Sequence, residues 1–306
     1  MSTLRKICPR RNFLLPVLCV LLMLSYPGAA WADIGPKPSV QICFTGMDPD
    51  VLCYGTLLSE RDSTGPASVW NGDEEFALYP EGEFKIWKAF VDYEDEDSFF
   101  FLQEFWNCSE SGQLAWTYYP PSTFKVLLYY PESGTFCVSP IYETYAFDSY
   151  YTVNLTGLPG QAASSGTNAV LTAVESYNYI PELRSLTVRI VLTILLELLI
   201  ALLFGYHEMS VLAFLAVVNL VTQISLNVAL NVINYHSGPM AFTFYYALME
   251  AGVFILEAVL YANLLHRFSV QPKPESANRA VGYAFTANAA SFAAGLWLAH
   301  VIPGIF

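Results

Sequence analysis

Four nearly unbroken apolar runs occupy the last part of this chain: Leu183 to Tyr206, Val211 to Ile233, Met240 to His266 and Ala280 to Ile302. As helices, each is long enough to cross a hydrocarbon core of about 30 Å. Lipid allows few other forms, because every backbone N–H and C=O must find its partner within the segment or within a closed barrel. The composition points the same way, with 54% hydrophobic and only 13% charged residues, unlike a soluble chain. The expected fold class is α+β. It combines an N-terminal signal peptide, an extracytoplasmic all-β, sandwich-like domain and a C-terminal four-helix transmembrane bundle.

Polar groups sit inside the apolar runs. The second run carries Asn219, Gln223, Asn227 and Asn231, each four residues after the last, and so on one slowly turning ridge of a helix. The third carries Glu250 and Glu257, seven apart and on one face. Glu197 lies near the middle of the first run and Asn288 near the middle of the fourth. A charged side chain at mid-bilayer costs roughly 2.5–3.5 kcal/mol on insertion scales. Three carboxyls facing lipid would then cost on the order of 8–10 kcal/mol, as much as a whole domain's stability. The acids are therefore expected to turn inward onto the amide ridge, either protonated or holding a cation. Two readings stay open: interhelical hydrogen-bond glue, or a site for an ion, a proton or a small solute. Arg189, with Arg184, is expected to snorkel at the outer end of its helix.

The N-terminus reads as an export signal. Arg5, Lys6, Arg10 and Arg11 form a basic region, Phe13 to Ser25 an apolar one, and Ala30-Trp31-Ala32 a cleavage site. The expected domains are a signal peptide over 1–32, a β domain over 33–156, a linker over 157–181 and the helices over 182–306. With the β domain outside, four crossings put the loop holding Arg267, Lys273 and Arg279 in the cytoplasm, as the positive-inside rule requires. The expected location is the cell membrane, multi-pass, with residues 33–182 extracytoplasmic.

Between Asp33 and Glu182 there are 22 acids and 5 bases, a net charge of −17. Such a surface repels nucleic acid and anionic headgroups. Cys43, Cys53, Cys108 and Cys137 fall in this exported stretch, and an oxidising compartment suggests two disulfides. Sequence proximity alone pairs Cys43 with Cys53 and Cys108 with Cys137, against the alternative of buried thiols. Val40 to Phe44, Val51 to Ser59, Gln113 to Tyr118, Phe124 to Tyr130 and Tyr145 to Leu155 read as strands. Glu83 to Tyr93 and Phe99 to Trp106 read as a hairpin whose tip, Glu94-Asp95-Glu96-Asp97, is solvated. In Phe124 to Tyr130 both faces are apolar enough to be covered by other layers.

No catalytic motif emerges. His207-Glu208 lacks the second histidine of H-E-x-x-H, and there is no nucleophile elbow or P-loop. The cysteines and histidines lack zinc spacing. An enzyme ranks third, and neither cofactor nor metal is expected.

Several segments resemble a family of uncharacterised multi-pass membrane proteins of Gram-positive, clostridial-type bacteria. These are Asp33 to Ser39, Tyr54 to Trp70, Trp116 to Phe136 with its Tyr-Tyr-Pro-Pro, Tyr145 to Val153, Asn219 to Tyr235 and Asn288 to Phe306. The likeness implies a single cytoplasmic membrane and supplies no catalytic residues. The sequence reading is thus a membrane-anchored β domain that binds or senses an extracellular ligand or partner protein. The runner-up is a transporter or channel-like subunit that uses the Glu/Asn cluster. The bilayer is the expected partner in both, and nucleic acid in neither.

Overall fold

A computed structural model gives the structure of the chain and describes residues 35–72, 81–157, 170–269 and 276–301. The signal peptide expected over 1–32 lies outside the described residues, as do 158–169 of the expected linker. Pro36–Phe306 form one compact unit.

Twelve strands occur among the described residues: β1 Ser39–Thr45, β2 Tyr54–Ser59, β3 Ser63–Thr64, β4 Ala67–Ser68, β5 Phe100–Phe101 and β6 Trp106–Asn107, followed by β7 Gln113–Trp116, β8 Thr123–Tyr130, β9 Thr135–Val138, β10 Tyr142–Glu143, β11 Asp148–Asn154 and β12 Ala173–Glu175. One sheet runs β12-β11-β1-β7 and another β10-β8-β2-β5, with β6 added on β2 and β9 on β8. β3 and β4 pair with each other. β1 pairs parallel with β11, Ile42 opposite Tyr151, and antiparallel with β7, Ile42 opposite Leu114. β12 falls within the 157–181 stretch and closes the first sheet against β11.

Alternation along the strands sorts two cores. Val40, Ile42 and Phe44 of β1 meet Leu57 of β2 and Phe124, Val126 and Leu128 of β8 between the sheets. The intervening Leu58 and Leu127 point to the opposite face and pack under Ile86, Trp87 and Phe90. Those three residues belong to helix α1, Glu81–Val91. The strand expected over Glu83 to Tyr93 is therefore wrong. Ile86, Trp87 and Phe90 recur at helical spacing and form one buried stripe, and this periodicity prevails over the β preference of the aromatics.

The acidic run after α1 is not simply solvated. Asp95 is buried and holds Lys125 of β8 at 2.8 Å, while the more exposed Asp97 reaches the same ammonium at 2.6 Å.

The disulfides are corrected too: no two of Cys43, Cys53, Cys108 and Cys137 are joined to each other. Cys43 lies on the outward face of β1, away from Ile42 and Phe44, whereas Cys53, Cys108 and Cys137 are buried in the core between the sheets. Although close in sequence, Cys43 and Cys53 lie on different sides of the sheet. Burial pushes the Cys53 thiol up to about 12, which keeps it neutral and unreactive.

Three long helices follow: α2 Ile180–Leu203, α3 Met209–Leu264 and α4 Ala277–Val301. Pro181 sits in the first turn of α2, where its missing N–H is not needed. α3 is broken at Gly238, whose φ of 79° and ψ of 179° are not helical, with Pro239 directly after it. The chain reverses there. The two halves lie side by side, since Thr222 bonds Glu257 and Asn219 bonds Tyr261. Two helices, Ile180–Leu203 and Met209–Arg267, are long and apolar enough to cross a membrane. Their outward faces are apolar, with Leu195, Leu199, Val217, Val221, Val228, Ile255 and Val259 exposed, while polar groups turn inward.

The β domain touches the reversal in α3. The Phe147 N–H donates to the Tyr235 carbonyl at 2.8 Å, and the Phe147 ring fills the space where a Gly238 side chain would be. Tyr145, Tyr177 and Tyr179 surround the Tyr235 ring.

Candidate functional site

The amide ridge turns inward as the four-residue spacing requires. Asn219, Gln223 and Asn227 are buried, and Asn231 is half-buried at the end of the row. α2 contributes Glu197, the second half of α3 contributes Glu257, and α4 contributes Asn288; all three are buried. Glu250 is half-buried.

Glu257 is the best-bonded member. Its Oε1 accepts from the Thr222 hydroxyl at 2.6 Å and its Oε2 from Asn288 Nδ2 at 2.8 Å. One carboxyl thus ties both halves of α3 to α4. Asn288 Nδ2 also donates to the Ala284 carbonyl at 3.0 Å. Asn219 Nδ2 donates to the Leu215 carbonyl at 3.1 Å and to the Tyr261 hydroxyl at 3.2 Å. Tyr283 donates to the main-chain carbonyl of Glu197 at 3.3 Å and packs its ring against Tyr261.

Glu197 differs from its neighbours. Its side chain is 0% exposed, yet neither carboxyl oxygen has a hydrogen-bond partner. The Asn219 amide and the Ser291 hydroxyl lie beside it but donate elsewhere, Asn219 Nδ2 to the Leu215 carbonyl at 3.1 Å and Ser291 Oγ to the Asn288 carbonyl at 3.1 Å. Asn219 Oδ1 and Asn288 Oδ1 are also buried without a partner. A buried polar atom left in that condition costs about 1–3 kcal/mol, and more if charged.

A second polar group lies towards the other end of α2. Arg189 is buried, which corrects the expectation that it snorkels outward. Its guanidinium donates to Asn227 Oδ1 at 3.1 Å and to Ser185 Oγ at 2.8 and 3.2 Å. It also lies 5.6 Å from the centre of the Phe242 ring. Ser185, one turn earlier on α2, and the amide ridge supply the acceptors that a buried guanidinium needs. Asn227 Nδ2 in turn donates to the Gln223 carbonyl at 2.8 Å. A cavity of about 30 Å³ lies here, lined by Arg189, Thr193, Gln223, Asn227, Tyr246, Glu250 and Ser291 among others. That is room for a water-sized group.

No family model, no curated protein and no solved structure matches this chain.

Among the described residues, no group of three or more His, Cys, Asp or Glu is placed to hold a metal ion. The polar centre instead mixes two carboxyls with amides and hydroxyls. The structure brings together Glu197, Asn219, Glu257 and Asn288, and sets Gln223, Asn227 and Glu250 around the neighbouring cavity. Asn231 stands apart from both groups. Sequence reasoning missed Thr222, Tyr261, Tyr283 and Ser291, which complete the centre. Their signal was present but faint. Tyr261 follows Glu257 by four residues and Thr222 adjoins Gln223, yet hydroxyl side chains are too common in apolar helices to stand out.

Proposed function

We propose that this chain is a multi-pass membrane protein whose helical part carries an ion, a proton or a small polar solute at the Glu197–Glu257 centre. In this reading α2, the two halves of α3 and α4 make four crossings. The acidic β domain is exported, and the loop with Arg267, Lys273 and Arg279 is cytoplasmic. The contact of Phe147 with Tyr235 and Gly238 supports this order, since it joins the reversal of α3 to the β domain. The exported domain over 33–156 and the likeness to clostridial-type membrane proteins belong to the same proposal.

The observation that carries the reading is the Glu197 carboxyl, wholly buried with neither oxygen held in a hydrogen bond. Hydrogen-bond glue alone would show a satisfied carboxyl, as Glu257 does. An unsatisfied one keeps its cost only where an occupant offsets it. Glu197→Gln and Glu257→Gln, reconstituted in proteoliposomes, are expected to lower proton or cation flux at least about tenfold, the effect of losing roughly 1.4 kcal/mol of site binding. Wild-type flux from both variants, with normal folding, would leave these residues a structural role only.

A second reading rests on the joint between the domains. The β domain grips the reversal of α3 through a backbone hydrogen bond and a ring against a glycine. Binding of an extracellular ligand or partner protein to that domain would act directly on the helices that hold the polar centre. The β domain is then the sensing part of the same molecule.

A further inference from the structure

We infer that the Glu197 centre binds a dehydrated monovalent alkali cation, held by the carboxyl oxygens of Glu197 together with the side-chain oxygens of Asn219 and Asn288. The inference rests on the reading of the helical part as a binding site and names its occupant.

Donors and acceptors at the centre do not balance. Four oxygens at the centre are buried without a partner: both of Glu197, Oδ1 of Asn219 and Oδ1 of Asn288. Their side chains are 0%, 1% and 6% exposed. The amides cannot relieve this by turning over. Asn219 Nδ2 faces the Leu215 carbonyl and Asn288 Nδ2 faces the Ala284 carbonyl. A main-chain carbonyl only accepts, so each amide must keep its nitrogen there and its oxygen free.

The type of occupant follows from what such a set lacks. A proton on Glu197 turns one oxygen into a donor and satisfies one other, leaving two of the four as they were. A hard cation takes lone pairs from all of them, and carboxylate and amide oxygens are the ligands such ions prefer. The charge selects a monovalent ion. Glu257 can be satisfied while neutral, because Thr222 can accept from its carboxyl and pass its own proton to the Val218 carbonyl, 3.1 Å away. Glu250 and the Arg189 guanidinium line the neighbouring cavity together and offset one another, which leaves one negative charge, on Glu197. A monovalent ion cancels it, and cancellation matters most where water is excluded.

The test is thermal unfolding of the purified full chain in detergent at one ionic strength, in sodium, potassium or choline chloride. The expected result is a midpoint higher by on the order of 5 °C in at least one alkali chloride than in choline, the size of shift that saturation of a site gives. Glu197→Gln and, independently, Asn219→Leu are expected to abolish the difference. Equal midpoints for the wild type in all three salts would overturn the inference, whether or not the variants fold. If the salts are equal but acid stabilises the wild type and not Glu197→Gln, the occupant is a proton. The cation is then refuted while the binding-site reading stands. If neither salt nor acid acts through Glu197, both fall. An alkali shift that survives in Asn219→Leu would also overturn the proposed ligand set.

Discussion

Lys125 shows how one residue can override its surroundings. It sits mid-strand between Phe124 and Val126 and is 4% exposed, a place where a lysine is rare without a partner. Asp95 and Asp97 bind its ammonium, and the Phe99 ring lies 5.1 Å away. Burial works against the charge, but the hydrogen bonds it donates to the two carboxylates prevail and hold the ammonium above the usual lysine range. Because the folded value is the higher one, this stabilisation is complete below the unfolded lysine value of about 10.4. It is lost as pH rises through the folded value. Lys125→Met keeps the volume and strands Asp95, so a loss of about 3 kcal/mol is expected in denaturant titration at neutral pH. The variant should also lose the part of the alkaline destabilisation that belongs to Lys125. A neutral-pH loss below about 0.5 kcal/mol, the scale of an exposed pair, would show that the ion pair is not built into the core. A covered β8 was legible from its apolar residues on both faces. It did not show that an acid from the neighbouring loop would follow Lys125 inside, because a run of carboxylates is by itself a solvated feature.

Among the elements, the reversal of α3 makes the sharpest demand on sequence. Gly238 holds φ 79° and ψ 179°, a conformation nearly closed to other residues and costing them roughly 1–3 kcal/mol. A Cβ there would also stand 2.6 Å from Phe147 ring carbons. Gly238→Ala is therefore expected to destabilise the chain by at least about 2 kcal/mol, read as a lower unfolding midpoint. Adding Phe147→Ala should recover only part, since it removes the clash and leaves the backbone strain. Full recovery would locate the cost in packing alone, and no loss in the single variant would show that the turn can relax. The long helices were legible because an apolar run tens of residues long has few other fates. The reversal was legible only as a gap between two such runs. α1 was missed because its aromatics resemble a strand when taken by preference and a helix only when taken by spacing. β12 was faint for a related reason, since three residues carry almost no period.

Across the whole molecule, the inward facing of Glu197, Asn219, Glu257 and Asn288 could be foreseen, because the cost of exposing acids to lipid does not depend on structural detail. Which of them would lack a donor could not be foreseen. That depends on where Leu215, Ala284 and Thr222 present their groups, and one residue of helix register would change it. The same separation applies to topology. The reversal at Gly238 touches the β domain, while the α2–α3 connection lies where Arg279 of α4 donates to the Phe204 carbonyl at 3.0 Å. If four crossings are correct, these two ends face opposite sides of a bilayer. Cys43 and His207 are both exposed, one on β1 and the other in that connection. A membrane-impermeant maleimide applied to intact cells should modify Cys43 of the wild-type chain. His207→Cys in a Cys43→Ser background should stay unmodified until the membrane is opened. Cys53, Cys108 and Cys137 should react in neither case before denaturation, being buried. Modification of both sites in intact cells would place the α2–α3 connection outside. The two ends of the helices would then share one side, and the proposed path through Glu197 would have no second face to lead to.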